Sequence, residues 1–108
     1  MSQVSWTLTD AESFLRQAKS ALGPTATLKL LDKADNAVQD VMMADPGNAR
    51  VFLLWGHVHL ERGKLYKKNG NPDASEQITL AIDFYESAIK NGGLAEARSG
   101  LQECKALQ

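Results

Sequence analysis

The chain has 108 residues, of which 44% are apolar and 23% charged, and its formal net charge is −1. That is the composition of one ordinary globular domain, 1–108, and it excludes both the basic footprint of a nucleic-acid binder and a polybasic membrane signal. The single cysteine, Cys104, excludes an intramolecular disulfide, and the longest apolar run, Val51 to Trp55, is far too short to span a bilayer.

The elements, in chain order, all read as helix. The first is expected over about 10–22. Thr9-Asp10-Ala11-Glu12 has capping-box spacing, and Ala11, Phe14, Leu15, Ala18 and Leu22 form an apolar stripe. Gly23-Pro24 ends it. The second runs over about 26–44, with Thr25 or Thr27 as candidate cap and Leu30, Leu31, Ala34, Ala37, Val38 and Val41 on one face. Asp45-Pro46-Gly47-Asn48 is a strong turn signal.

The third helix, about 49–68, is apolar on every side through Val51-Phe52-Leu53-Leu54-Trp55 and must therefore be covered on more than one face. Its second half turns polar, and the cluster Lys64, Lys67 and Lys68 reads as the solvated end of a long helix. The fourth, about 74–91, opens on Asp73-Ala74-Ser75-Glu76, again with capping-box spacing, and carries Ile78, Ala81, Ile82, Tyr85, Ala88 and Ile89 on one stripe. Leu80 and Phe84 lie beside that stripe, so this helix too is expected to touch two partners. Gly92-Gly93 ends it, and a fifth helix over about 94–107 follows with Leu94, Ala97, Leu101 and Cys104 on one face. Links this short make sequential helices antiparallel neighbours. The expected fold is all-α: two helical hairpins and a closing helix.

An internal repeat is visible. Phe52-x2-Trp55-Gly56-x2-His59 is followed by Ala81-x3-Tyr85-x2-Ala88, and Ala34-x3-Val38-x2-Val41-x4-Pro46 precedes both. With these residues the chain resembles the tetratricopeptide-repeat superfamily, whose unit reads W-x2-L-G-x2-Y, then A-x3-F-x2-A, then P. The resemblance covers about 34–93. It departs from the family in the 25-residue step from Gly56 to Ala81, which is 13 longer than the repeat allows, in Gly93 where a proline is expected, and in terminal helices without the aromatic-glycine signature. It implies a right-handed array of about five antiparallel helices in which Gly56 and the small Ala81 let two helices approach, with Phe52, Trp55 and Tyr85 filling the space around that contact.

The resemblance also implies a protein-interaction module, an adaptor, scaffold or chaperone-like domain that holds a peptide or partner domain in a groove lined by the third helix. On that face stand Arg50, Leu53, His57, Leu60 and Glu61. Some members of the superfamily clamp a C-terminal carboxylate there, but the asparagine and lysine of such a clamp have no counterpart, so an apolar groove with a charged end is expected. Leu53 and Leu60 could equally be core residues covered by the first helix pair.

Neither enzyme nor cofactor is expected. No serine is placed by a motif beside a histidine, Cys104 lies on an apolar face where a thiol behaves as a small hydrophobe, and the glycine pairs are helix stops rather than phosphate loops. His57 and His59, two apart on a helix, point in different directions and cannot share a metal. His59-Leu60-Glu61-Arg62-Gly63 has some likeness to a histidine phosphotransfer bundle, an alternative in which His59 accepts the phosphoryl group, although Glu61 would repel it. A third reading is self-assembly through Leu94, Ala97 and Leu101. The N-terminus, Met1 to Trp6, lacks the charged start and apolar run of a signal peptide, and a cytoplasmic protein is the expectation.

Overall fold

The computed structural model describes residues 6–108. They form five helices and no strand: α1 Leu8–Ser20, α2 Pro24–Ala44, α3 Ala49–Lys68, α4 Ala74–Gly92 and α5 Ala95–Leu107. Each sequential pair packs together, α1 and α5 each also touch α3, and α2 and α4 do not meet among the described residues.

Local chemistry sets where the helices begin. At α1 the capping box is Thr7 and Asp10, not Thr9 and Glu12. The Thr7 hydroxyl accepts from the Asp10 N–H at 3.2 Å while the Asp10 carboxylate accepts from the Thr7 N–H at 2.8 Å. Glu12, one turn on, is thereby free to reach another helix. Helix α2 starts at Pro24, whose missing N–H costs nothing at a first helical position. Gly23, at φ 93°, makes the turn before it. α1 therefore stops at Ser20, and Leu22, expected on its stripe, is 94% exposed. Neither Thr25 nor Thr27 caps α2; the Thr27 hydroxyl bonds back to the Gly23 carbonyl. No side-chain cap forms at Asp73 either, whose own N–H donates to the Asn71 side chain at 2.9 Å.

α3 divides the interior in two, which accounts for its apolar run. Val51, Leu54 and Val58 face α1 and α2, joining Ala11, Leu15, Leu31 and Val38. Leu53 and Leu60 face the other way, into a second core with Ile78, Ala81, Tyr85, Ala88, Ala97 and Cys104 from α4 and α5. Cys104 is fully buried, and burial, with Glu103 next, pushes its thiol up to about 11. It serves as a small hydrophobe.

The α3–α4 hairpin is held by three levels of contact spaced seven residues apart on each helix. Gly92 opposes Ala49, Tyr85 opposes Gly56, and Ile78 opposes Gly63. A Cβ added to the glycine at each level would come within 2.7, 2.7 and 2.8 Å of the side chain across from it. A seven-residue period keeps one seam against the partner when two long helices cross with a slight left-handed twist, and one partner at every level is glycine, which brings the backbones close. The expected pairing of Gly56 with Ala81 is therefore corrected. Counting back from the turn at 69–73 puts Gly56 level with Tyr85, one helical turn beyond Ala81, because the hairpin is longer than the family's repeat.

Trp55 also departs from expectation. It leaves the Gly56 contact and sits between α2 and α4: its indole N–H donates to Asp35 of α2 at 2.7 Å and its ring stacks on Phe84 of α4 at 4.6 Å. Beside it the buried Arg62 donates to Asp32 at 2.9 Å and lies 4.0 Å from Asp35. These polar contacts fasten α2 to α3 alongside the apolar stripe of α2.

Tyr85 is wedged between two glycines, since a Cβ on Gly100 of α5 would also run into its ring. Gly56→Ala should therefore lower stability by about 1–3 kcal/mol through overpacking. An exposed mid-helix glycine given the same change would instead gain about 1 kcal/mol. Urea titration of the two proteins measures the sign.

Candidate functional site

The odd-numbered helices α1, α3 and α5 wall a cleft with two connected hollows. The larger, about 440 Å³, is lined by Lys19, His57, Leu60, Glu61, Lys64, Tyr85, Glu96, Ser99, Gly100 and Glu103. The smaller, about 260 Å³, is lined by Glu12, Leu15, Arg16, Lys19, Arg50, Leu54, His57 and Glu96. Lys19, His57 and Glu96 belong to both, so the hollows form one continuous trough.

Its floor follows from spacing on α3. Arg50, His57 and Lys64 are seven residues apart and so share one stripe. Each meets a carboxylate from a wall. Arg50 pairs with Glu12 of α1, His57 Nε2 lies 4.0 Å from Glu96 of α5, and Lys64 pairs with Glu103 of α5 and, at 3.3 Å, with Glu61. Glu96 and Glu103 repeat the seven-residue step on their own helix. On the α1 wall, Arg16 and Lys19 are exposed and make no ion pair among the described residues. The trough thus carries uncommitted positive charge on one wall and carboxylates on the other.

His57 is the best-held group in it. Its Nδ1 lies 2.7 Å from the Tyr85 hydroxyl, and the rings meet edge-on at 5.5 Å. Burial, and then Cys104 and the carboxylates of Glu103 and Glu61, push the Tyr85 phenol well above the ordinary tyrosine range, so it stays protonated. With Nε2 facing the Glu96 carboxylate, the network assigns the proton to Nε2 and makes Tyr85 the donor to Nδ1. His57 therefore presents an N–H to the trough. For Lys64, burial opposes the charge, but the bonds to Glu103 and Glu61 outweigh it and hold the ammonium above the ordinary lysine range.

The residues expected at the site are divided by the structure. Arg50, His57 and Glu61 line the trough. Leu53, 0% exposed, does not, and Leu60, 3% exposed, shows the trough only its edge; both belong to the second core. They are covered by α4 and α5, not by the first helix pair. With Leu53 inside, the trough carries charged groups along its whole length, with Leu15, Leu54 and Leu60 showing apolar surface between them. Phe52, Trp55, Gly56, Ala81, Tyr85 and Ala88 are packing residues of the α2–α5 interior, with Tyr85 alone also reaching the trough. Sequence reasoning missed Lys64, Glu12, Arg16, Lys19, Glu96 and Glu103. The seven-residue step from Arg50 through His57 would have found Lys64.

His59 is corrected as a phosphoryl acceptor. It is 9% exposed, stacked on Phe84 at 5.4 Å, and its Nδ1 is bonded to the Gln77 side chain at 2.8 Å. A ring held in this way is poorly placed to meet a phosphodonor. Among the described residues no group of three or more His, Cys, Asp or Glu side chains is arranged to hold a metal, and no helix is long and apolar enough to cross a membrane.

Both histidines titrate below the ordinary histidine range. For His57 the cause is burial and then Lys19, against the pull of Glu96, Glu61 and Glu103. For His59 it is burial, partly offset by the Gln77 bond, with Arg62 lowering and Asp35 raising it further. The unfolded chain thus takes up protons first as pH falls through about 6.5, the ordinary histidine value, and the folded chain does so only at lower pH. Stability should be full above that value, fall as the pH is lowered from about 7 toward 5, and level off for these groups below their folded pKa values. Thermal melts in pH steps check this, and His57→Gln with His59→Gln should flatten the slope.

No protein-family model, no curated protein and no solved structure matches the chain.

Proposed function

We propose that this protein is a binding module of tetratricopeptide-like build that holds an extended, charge-bearing peptide segment in the trough between α1, α3 and α5. The arrangement supports the tetratricopeptide-like reading in two respects: α3 touches both α1 and α5, and the three odd helices share one side. The observation that carries the function is the polarised trough. Its floor stripe from Arg50 to Lys64 is about 21 Å long at 1.5 Å per helical residue, which accommodates roughly six residues of extended chain.

A segment lying there would set acidic side chains against Arg16 and Lys19, and basic ones or backbone N–H groups against Glu96 and Glu103. The Nε2–H of His57 would donate to a carbonyl at mid-groove. Such contacts give orientation and selectivity more than raw affinity. The same chemistry describes an adaptor or scaffold rather than an enzyme, since the floor groups Arg50, His57 and Lys64 are each set against a carboxylate while Arg16 and Lys19 stay free to meet a ligand. A reducing, cytoplasmic setting is part of the proposal and rests on the single buried thiol.

Selection from a random peptide library on the immobilised protein tests the reading. Enriched peptides should carry charge of both signs. Lys19→Glu with Glu96→Lys inverts one charge on each wall without touching either core and should weaken the selected peptides at least tenfold, the effect of losing roughly 1.4 kcal/mol. Enrichment of purely apolar peptides, or binding indifferent to the reversal, would reject it.

A further inference from the structure

The α4–α5 end of the molecule carries a second surface, distinct from the trough. Helical spacing puts Glu96, Ser99 and Glu103 on the trough edge of α5, and Leu94, Arg98, Leu101 and Lys105 on the opposite edge. Next to that opposite edge, α4 presents Ile82 and Ile89. These four apolar side chains, Ile82, Ile89, Leu94 and Leu101, pack against the second core yet stay only half-buried. Ala97, expected among them, is fully buried beneath α4 and takes no part.

The flanks of this shallow apolar strip are charged with opposite signs. On the α4 side stand Asp83 and Glu86, and on the α5 side Arg98 and Lys105. All four are exposed, and none makes an ion pair among the described residues. Lys90 is also on the α4 edge but lies level with the start of α5, beyond Arg98. The contact of Tyr85 with Gly100 sets the levels of the two antiparallel helices. It places Glu86 within about one residue, and Asp83 within about three, of the heights of Arg98 and Lys105, separations of roughly 1.5 and 4.5 Å along the axis.

We propose that this strip is closed by a second copy of the chain, related by a two-fold axis running along the helices. That axis lays α4 of one copy over α5 of the other. Glu86 then meets Arg98 of the second copy, Asp83 meets its Lys105, and each contact occurs twice. The two apolar strips face each other between them. A two-fold axis across the helices would instead set α4 on α4 and α5 on α5, with like charges opposed, so the charge pattern selects the first arrangement. Two helices of this length, about 20 Å long and together about 20 Å wide, offer roughly 400 Å² per copy, the small end for a specific interface. The pair is therefore weak, and it leaves the trough open.

Sedimentation equilibrium of the full chain from tens of micromolar to about 1 mM tests this, with circular dichroism to verify that each variant is folded. The mass should rise toward twice the monomer and fall back when salt is raised to about 0.5 M, where exposed pairs are screened. Glu86→Arg alone and Arg98→Glu alone should each weaken association at least tenfold. The two changes in one chain restore opposite charges across the axis and should bring association back. A chain monomeric throughout the concentration range overturns the proposal. So does a dimer indifferent to the single substitutions, or one that the double substitution fails to restore.

Discussion

Tyr85→Ala should lower the stability of this protein by about 4 kcal/mol, within the 3–5 kcal/mol usual for truncating a buried aromatic residue to alanine. Tyr85 is fully buried and its ring fills the space that glycine leaves on both neighbours, Gly56 on α3 and Gly100 on α5. Glycine cannot grow into the void from either side, so relaxation is limited and the cavity term stays large. The hydroxyl adds a second loss, because His57 Nδ1 is left without its donor. The expected fall in melting temperature is upward of about 16 °C, at roughly 4 °C or more per kcal/mol for a domain near this size. Tyr85→Phe keeps the ring and removes the bond alone, so it should cost only about 1 kcal/mol. Urea unfolding of the three proteins measures both contributions. A Tyr85→Ala protein within about 1 kcal/mol of the parent would mean that the three helices do not converge on this ring.

Leu53→Ala combined with Leu60→Ala should unfold the chain or leave it a loose helical collapse at physiological temperature. Each leucine is buried in the second core, and each truncation costs about 2–5 kcal/mol. The two sit two turns apart on one face of α3, so their losses add to within a few tenths of a kcal/mol unless they share a cavity. The sum approaches the whole stability of an ordinary domain, about 5–15 kcal/mol. Near-ultraviolet circular dichroism should lose its aromatic signal, with helical far-ultraviolet signal partly retained. Groove residues would behave in the opposite way. A double variant with an unaltered melt would return Leu53 and Leu60 to the binding surface.

The helical class and the number of helices are legible in the sequence, because stripes at helical spacing and Gly/Pro stops are local signals. The central position of α3 follows from Val51 to Trp55, a run apolar all round that one neighbour cannot cover. What the family-like motif obscured is register. Matching Ala81 to Gly56 borrows the spacing of a shorter hairpin, whereas counting outward from Asn69 to Asp73 pairs Gly56 with Tyr85 and Gly63 with Ile78. The start of α1 was misplaced because Thr7/Asp10 and Thr9/Glu12 both satisfy the capping pattern, and only the reach of Glu12 to Arg50 separates them.

The site was half legible, for a physical reason. Arg50, His57 and Glu61 lie on α3 and could be grouped by helical spacing alone. Their partners Glu12, Glu96 and Glu103 come from helices far away in sequence, and nothing local marks a carboxylate that will face a cation 38 residues on. Lys64 was grouped with Lys67 and Lys68 as a solvated helix end, though its seven-residue step from His57 sets it on the floor stripe. Arg62 is buried against Asp32 and Asp35, which α2 supplies and no local signal announces.

The trough is the claim on which the functional reading stands, and nuclear magnetic resonance tests it most directly. Titrating a library-selected peptide into the isotopically labelled chain should move the amide signals of Arg16, Lys19, His57, Glu96 and Ser99, and shift the ring proton resonances of His57. The signals of Met42, Met43 and Trp55 on the far side should stay in place. Shifts confined to that far side, or to the α4–α5 strip, with His57 unmoved, would contradict the account.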